Sequence, residues 1–140
     1  MRVLILGCGR MGATLAVDLA RKGHEVSVLD RRNESFSRLG PTFSGKRIRG
    51  DGLDVAVLAA VGIADMDAFI ACTSGDNRNL TASQIAQTVF GVPKVVARVS
   101  DPLRGEIFAS QHLETVCPTV LGADMIYNAL LHNGDLVDCG

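Results

Sequence analysis

The residues best placed to do chemistry stand near the N-terminus, where Gly7-Cys8-Gly9-Arg10-Met11-Gly12 follows the apolar run Val3-Leu4-Ile5-Leu6. A G-x-G-x-x-G turn between a strand and a helix holds a pyrophosphate. Its first glycine permits the tight turn, its second lets the backbone approach phosphate with no Cβ in the way, and its third lets the helix pack closely on the strand. The helix N-terminus that follows adds unpaired N–H groups and the positive end of a dipole. About twenty residues further on, Asp30 closes a second β-rich run, Glu25 to Leu29. A carboxylate there accepts hydrogen bonds from both hydroxyls of an adenosine ribose. The first candidate ligand residues are therefore Gly7, Gly9, Arg10, Met11, Gly12 and Asp30. Asp30 repels a 2′-phosphate, which favours NAD(H), ATP or ADP over NADP(H). Arg31 joins the candidates, since Arg31 and Arg32 either turn toward a phosphate or stay solvated.

Such residues act together only if a scaffold brings strand ends side by side. Met11 to Lys22 follows helical period, with Met11, Leu15 and Leu19 on one stripe and Gly23 as a C-terminal cap. With the flanking strands this makes a βαβ unit. The alternation continues with a polar helix from Asn33 to Leu39, a strand from Arg47 to Arg49, a helix from Leu53 to Val61 and a strand from Ala68 to Cys72. A long helix from Asp76 to Phe90 follows, with Asp76 as N-cap and Leu80, Ile85 and Val89 inward. Then come a strand at Val95 to Val99, a helix at Pro102 to Ser110, a strand at Glu114 to Cys117 and a last apolar helix from Thr119 to Leu131. Strict alternation predicts an α/β fold: a doubly wound parallel sheet (Rossmann fold) of about six strands, in one domain, with β-rich Arg2 to Leu6 as its first and central strand. In such a sheet, ligands sit outside the carboxyl ends of the strands. That adds Asp51 facing the adenine side, Thr73 and Ser74 as donors to phosphate or ribose, and Arg98 as a neutraliser of phosphate charge.

Composition excludes several other classes. The 140 residues carry 14 Lys+Arg against 15 Asp+Glu, so no nucleic-acid partner is expected. A hydrophobic fraction of 47% supports a single globular core spanning residues 1–140. The longest apolar run, Val55 to Ala64, is about half of what crosses a bilayer, so no direct membrane insertion is expected. The short apolar start reads as a strand and not a secretory signal, which implies a cytoplasmic location. Cys8, Cys72, Cys117 and Cys139 lack ligand spacing, and His24, His112 and His132 have no oriented acid beside them, so neither a metal site nor a disulfide is expected. No nucleophile elbow, Cys-His pair or lysine-centred phosphate loop occurs, and no catalytic residue is assigned. The last helix is apolar around more of its circumference than covering one sheet face requires, which predicts a dimer contact.

Taken together, MRVLILGCGRMGATLA, GHEVSVLDRR, Gly50-Asp51-Gly52-Leu53-Asp54, ACTSGDNRNL, KVVARVSDPLRGEIF and Cys117-Pro118-Thr119 resemble the N-terminal domain of regulators of potassium conductance, the TrkA-N or KTN family of Trk and Ktr uptake systems. The likeness covers essentially the whole chain. It implies a cytoplasmic, non-catalytic gating subunit that binds NAD(H) or ATP/ADP and controls an integral-membrane potassium transporter. It also implies a homodimer through the last helix, assembled into a ring, and an Arg10 that reaches phosphate, sometimes that of a neighbouring subunit's nucleotide.

Two departures qualify the likeness. Family members commonly continue into a C-terminal regulatory domain, so this chain is expected to be a truncated or solitary domain. Thr119 stands where some ATP-binding members carry an acid that helps hold a cation. Two other readings make different predictions. An oxidoreductase Rossmann domain lacking its catalytic half prefers NAD(H) and forms no ring, and a purely structural domain shows no nucleotide effect. The residues do not separate NAD(H) from ATP/ADP, because Asp30 and the glycine turn read the parts these ligands share.

Overall fold

Val3, Leu4, Ile5 and Leu6 are all buried, which a strand achieves only in the middle of a sheet covered on both faces. In the computed structural model, which describes residues 1–132, they form β1 (Arg2–Leu6). β1 pairs in parallel with β2 (Glu25–Asp30) on one side and β4 (Ala68–Ala71) on the other. β3 (Lys46–Arg49) continues the sheet beyond β2, and β5 (Lys94–Arg98) and β6 (Glu114–Val116) continue it beyond β4. The order is β3-β2-β1-β4-β5-β6, every pair parallel, so chain direction across the sheet reverses between β1 and β4. That crevice is where an open α/β sheet takes its ligand.

Strand period two sorts the core into two layers. Leu4, Leu6, Leu29, Phe69 and Ala71 face α2 (Val55–Ala60) and α3 (Asp76–Gln84). Val3, Ile5, Val26, Val28 and Ala68 face α1 (Arg10–Arg21) and the 3₁₀ helix Asn33–Leu39. α4 (Pro102–Ser110) packs Phe108 onto Ala97 and Val99, and α5 (Pro118–Leu131) ends the described chain. Leu6 aligns with both Leu29 and Ala71, and Ala71 with Ala97. The loops that begin at Gly7, Asp30, Cys72 and Arg98 therefore open along one edge. The exposed β3 edge carries Lys46, Arg47 and Arg49, charges that discourage pairing with another strand.

The fold class and element order agree with expectation, and several details differ. The predicted Asp76–Phe90 helix is α-helical only to Gln84 and continues as a π turn over Ile85–Val89. The wider turn shifts the helix phase, so Ala86 takes the inward place and Val89 is 59% exposed. Gly75, not Asp76, occupies the N-cap of α3. The Asp76 carboxylate instead accepts the N–H groups of Ser100 and Asp101 at 2.7 and 3.0 Å, fastening α3 to the loop after β5. α5 buries none of its residues and exposes Val120, Leu121, Met125, Ile126, Leu130 and Leu131. Among the described residues, Cys8, Cys72 and Cys117 are free thiols, no group of residues could hold a metal ion, and no helix is long and apolar enough to cross a membrane. Cys139 lies outside the described residues.

Candidate functional site

The three glycines of the turn are required for different reasons. Gly7 sits at φ +101°, and a Cβ there would lie 2.8 Å from the Cys72 carbonyl oxygen. A Cβ on Gly12 would fall onto the carbonyl oxygen of Gly7. Gly9, the N-cap of α1, has φ −79° and ψ −168°, an extended conformation open to any residue. Outside its own residue and its two chain neighbours, no atom of the described residues lies within 4 Å of where its Cβ would stand. The fold requires glycine at 7 and 12 but not at 9, and the open side of Gly9 is the wall of a cleft.

That cleft, about 450 Å³, gathers most of the predicted site: Gly7, Gly9, Asp30, Arg31, Thr73, Ser74 and Arg98 all line it. Asp30 is pinned beside the glycine turn. Its Oδ2 accepts the Cys8 N–H and its Oδ1 the Arg32 N–H, both at 2.8 Å. Each oxygen keeps a further lone pair for a ligand hydroxyl. The far wall is held by Asn79, fully buried in the first turn of α3. It accepts the Thr73 N–H at 3.0 Å and the Thr73 hydroxyl at 2.6 Å, and its amide donates to the carbonyls of Thr73 at 2.9 Å and Arg98 at 3.0 Å. With its hydrogen bonds satisfied, Asn79 locks the end of β4 to the end of β5. Arg98 has a buried Nε with no hydrogen-bond partner among the described residues.

Four predicted residues stand elsewhere. Gly12 packs α1 against the glycine turn. Arg10 and Met11 line a second, largely apolar groove of about 860 Å³ that runs along α1 past Leu15, Ile70, Val96 and Val116. The direction of the first helical turn carries them to that side, while Cys72 and Arg98 border both cavities. Asp51 is turned to its own chain: its Oδ1 accepts the Leu53 N–H at 3.0 Å and the Arg78 guanidinium at 2.9 Å. Its neighbour Gly52 and its partner Arg78 line the cleft instead. Arg78, which lines the cleft, and Asn79, which braces its wall, are positions that the sequence reading missed. Both lie in the quoted ACTSGDNRNL segment, and the usable signal is their place on a first helical turn, where side chains tilt back toward the strand end.

The titration behaviour follows from these contacts. The Leu53 N–H first, with the Arg78 hydrogen bond and the charges of Arg78 and Arg31 behind it, holds the Asp51 carboxyl below its ordinary 3.8 against burial, which raises it. Because the folded value is the lower one, any stabilisation from this group is present above the ordinary value and is lost as pH falls through the folded one. Burial raises the thiols of Cys8, with Asp30 adding to it, and of Cys72, where Arg98 opposes it. Both thiols stay protonated and unreactive at neutral pH.

The TrkA-N domain profile matches residues 3–119. The Trk system potassium uptake protein TrkA of Streptomyces coelicolor is 42% identical over 134 residues, which cover 96% of this chain and 60% of that protein. The chain thus spans about three-fifths of the length of this curated relative. Among solved structures, GsuK bound to ADP superposes with a TM-score of 0.81 at 22% identity, covering 95% of this chain and 34% of that one. The GsuK channel bound to NAD gives 0.71 at 24% identity, covering 82% and 21%. These identities show a shared fold.

Proposed function

The chain belongs to the TrkA-N domain family, and from that premise we propose that it is a nucleotide-sensing regulatory domain of a potassium uptake system, binding NAD(H) or ATP/ADP to control transport without catalysing a reaction. The observation that carries this reading is Gly9: a position where the chain itself has room for a side chain, on the wall where backbone must approach a pyrophosphate. Gly7, Gly9 and the α1 N-terminus would hold the phosphates, Thr73 and Ser74 would donate to them, and the guanidinium of Arg98 would add charge. Asp30 would take the ribose hydroxyls. The bound group would supply phosphate charge and an adenosine to be read, and no bond chemistry. Among the described residues, the cleft lining holds one carboxylate, Asp30, whose oxygens already accept backbone N–H groups, and no histidine. ADP in one structure of this fold and NAD in another share the adenosine diphosphate that this lining fits. Relatives that are potassium uptake proteins favour this reading over a dehydrogenase fragment.

A ligand gates only by binding one arrangement of the assembly better than another, with coupling of about 1 to 3 kcal/mol. The assembly we infer is a homodimer, or a ring built from it, in which the apolar face of α5 seats in the groove of a second copy beside Met11, Leu15, Ile70, Val96 and Val116. Arg10 borders that groove, where it would lie near the dimer partner. The membrane partner is an integral potassium transporter, engaged from its cytoplasmic side.

The ribose assignment is tested by comparing ADP with 2′-deoxy-ADP. A hydrogen bond to a charged acceptor is worth roughly 1.5 to 3 kcal/mol, so the wild-type chain should prefer ADP by about tenfold or more. In Asp30→Asn that preference should shrink to about threefold or less. Equal discrimination by both proteins in calorimetry removes Asp30 from the ribose site.

A further inference from the structure

Beyond Asp30, toward the C-terminal end of β3, the cleft has a floor and a cover. The Gly50 N–H donates to the Asp30 carbonyl at 3.0 Å, which brings the loop after β3 alongside the ribose-reading acid. At Gly52 a Cβ would run into the side chain of Leu6, so glycine lets this loop lie flat on Leu6, and both residues line the cleft. A nucleotide with its phosphates at Gly9 and its ribose at Asp30 sends its base in this direction. Arg78, on the first turn of α3, reaches the same space from across the sheet. Its side chain is only 26% exposed, and its guanidinium is fixed at 2.9 Å by Asp51, the neighbour of Gly52. Asp51 in turn is held by the Leu53 N–H, so the ion pair has a rigid anchor.

We propose that Arg78 is a base-contacting residue, its planar guanidinium lying over the ring of the bound nucleotide opposite the Leu6–Gly52 floor, with Asp51 as the positioning residue that holds it there. This rests on the adenine-nucleotide reading above. A guanidinium suits the role because it is planar, weakly hydrated and stacks on aromatic rings, which a lysine ammonium does not. Because the Asp51 carboxyl is held low, the pair persists across the neutral range. The base end is thereby closed by a side chain on α3 that is tied to the loop after β3, two segments on either side of the switch point.

Calorimetric titration of the full chain with AMP, ADP and ATP tests this, alongside the thermal midpoint of each ligand-free protein. Arg78→Ala should weaken all three nucleotides by the same factor, about tenfold, as expected for the loss of one stack on a base. Arg78→Lys should recover no more than about threefold of it, since it restores charge without the plane. Asp51→Asn, which keeps Arg78 but loosens it, should cost about threefold for each nucleotide. A loss that grows from AMP to ATP, or full rescue by lysine, overturns the base contact and makes Arg78 a phosphate reader. Unchanged affinity in Arg78→Ala overturns the contact altogether, and unchanged affinity in Asp51→Asn overturns the anchoring role. Failure of the wild-type chain to bind any of the three overturns the nucleotide reading itself, and this inference with it.

Discussion

Gly9→Ala should leave the ligand-free chain folded and nearly as stable as wild type while removing most of its nucleotide affinity; Gly12→Ala should strongly destabilise it. The two substitutions add the same methyl group a few residues apart, and the difference lies in what that methyl meets. At Gly12 it lands on the Gly7 carbonyl, backbone that cannot move without opening the turn onto which β1 feeds. Overpacking against fixed backbone costs roughly 3 kcal/mol or more, a fall in thermal midpoint of about 10 °C for a chain of this size. At Gly9 the methyl meets no described residue beyond its chain neighbours within 4 Å. The poorer N-cap character of alanine and the entropy it removes from the unfolded chain oppose each other, so stability should stay within about 1 kcal/mol. The methyl then stands where a pyrophosphate must approach the backbone, and affinity should fall by about a hundredfold, or roughly 2.7 kcal/mol. Thermal melts and calorimetry on the two variants check this. A destabilised Gly9→Ala, or one that binds as wild type does, would remove the reason given for that glycine.

Charge placed on α5 should separate the proposed dimer. Ile126 and Leu130 lie one turn apart and are 65% and 80% exposed, on a helix that buries nothing within its own chain. Each large apolar side chain that is covered contributes about 1.5 to 3 kcal/mol, and a carboxylate in its place adds a desolvation penalty. The double substitution Ile126→Asp, Leu130→Asp should therefore weaken association by a factor of about a thousand or more, converting a micromolar sample from twice the chain mass to the chain mass in light scattering. Val116→Asp, at the border of the receiving groove, should act in the same direction. The core contacts of α1 to α4 do not involve α5, so the monomer should keep its helical and strand content. A wild-type chain that is monomeric at these concentrations would count against the α5 contact.

Much of this was legible from residue types and spacing. β1 could be read because a run buried on both faces needs no polar residue, and the run stops at a glycine that the turn requires. The cleft could be read because a parallel sheet brings all its strand ends to one edge, so Thr73, Ser74 and Arg98 meet the glycine turn wherever the crossovers lead. What escaped depends on choices between side chains that spacing does not encode. Asp76 has the chemistry of an N-cap, yet its carboxylate bonds two N–H groups of the β5 loop, because Gly75 already starts the helix. Asp51 was expected to face the adenine, and it pairs with Arg78, a residue distant in sequence that only the fold brings within reach. The phase shift that turns Val89 outward comes from a π turn, which apolar periodicity taken at 3.6 residues per turn cannot show. Arg10 and Met11 lie inside the motif but face the groove along α1, since a helix alternates its sides every few residues.

Whether the cleft takes an adenine nucleotide is decided most directly by titrating the wild-type full chain with ADP, ATP and NADH in a calorimeter, with thermal melts run on the same samples. One saturable site per chain is expected for at least one of them, and at about a hundred times its dissociation constant the added stability should be roughly 2.7 kcal/mol, a rise in midpoint of about 10 °C. No heat of binding and an unmoved midpoint for all three at millimolar concentration would contradict a nucleotide-sensing role for this domain.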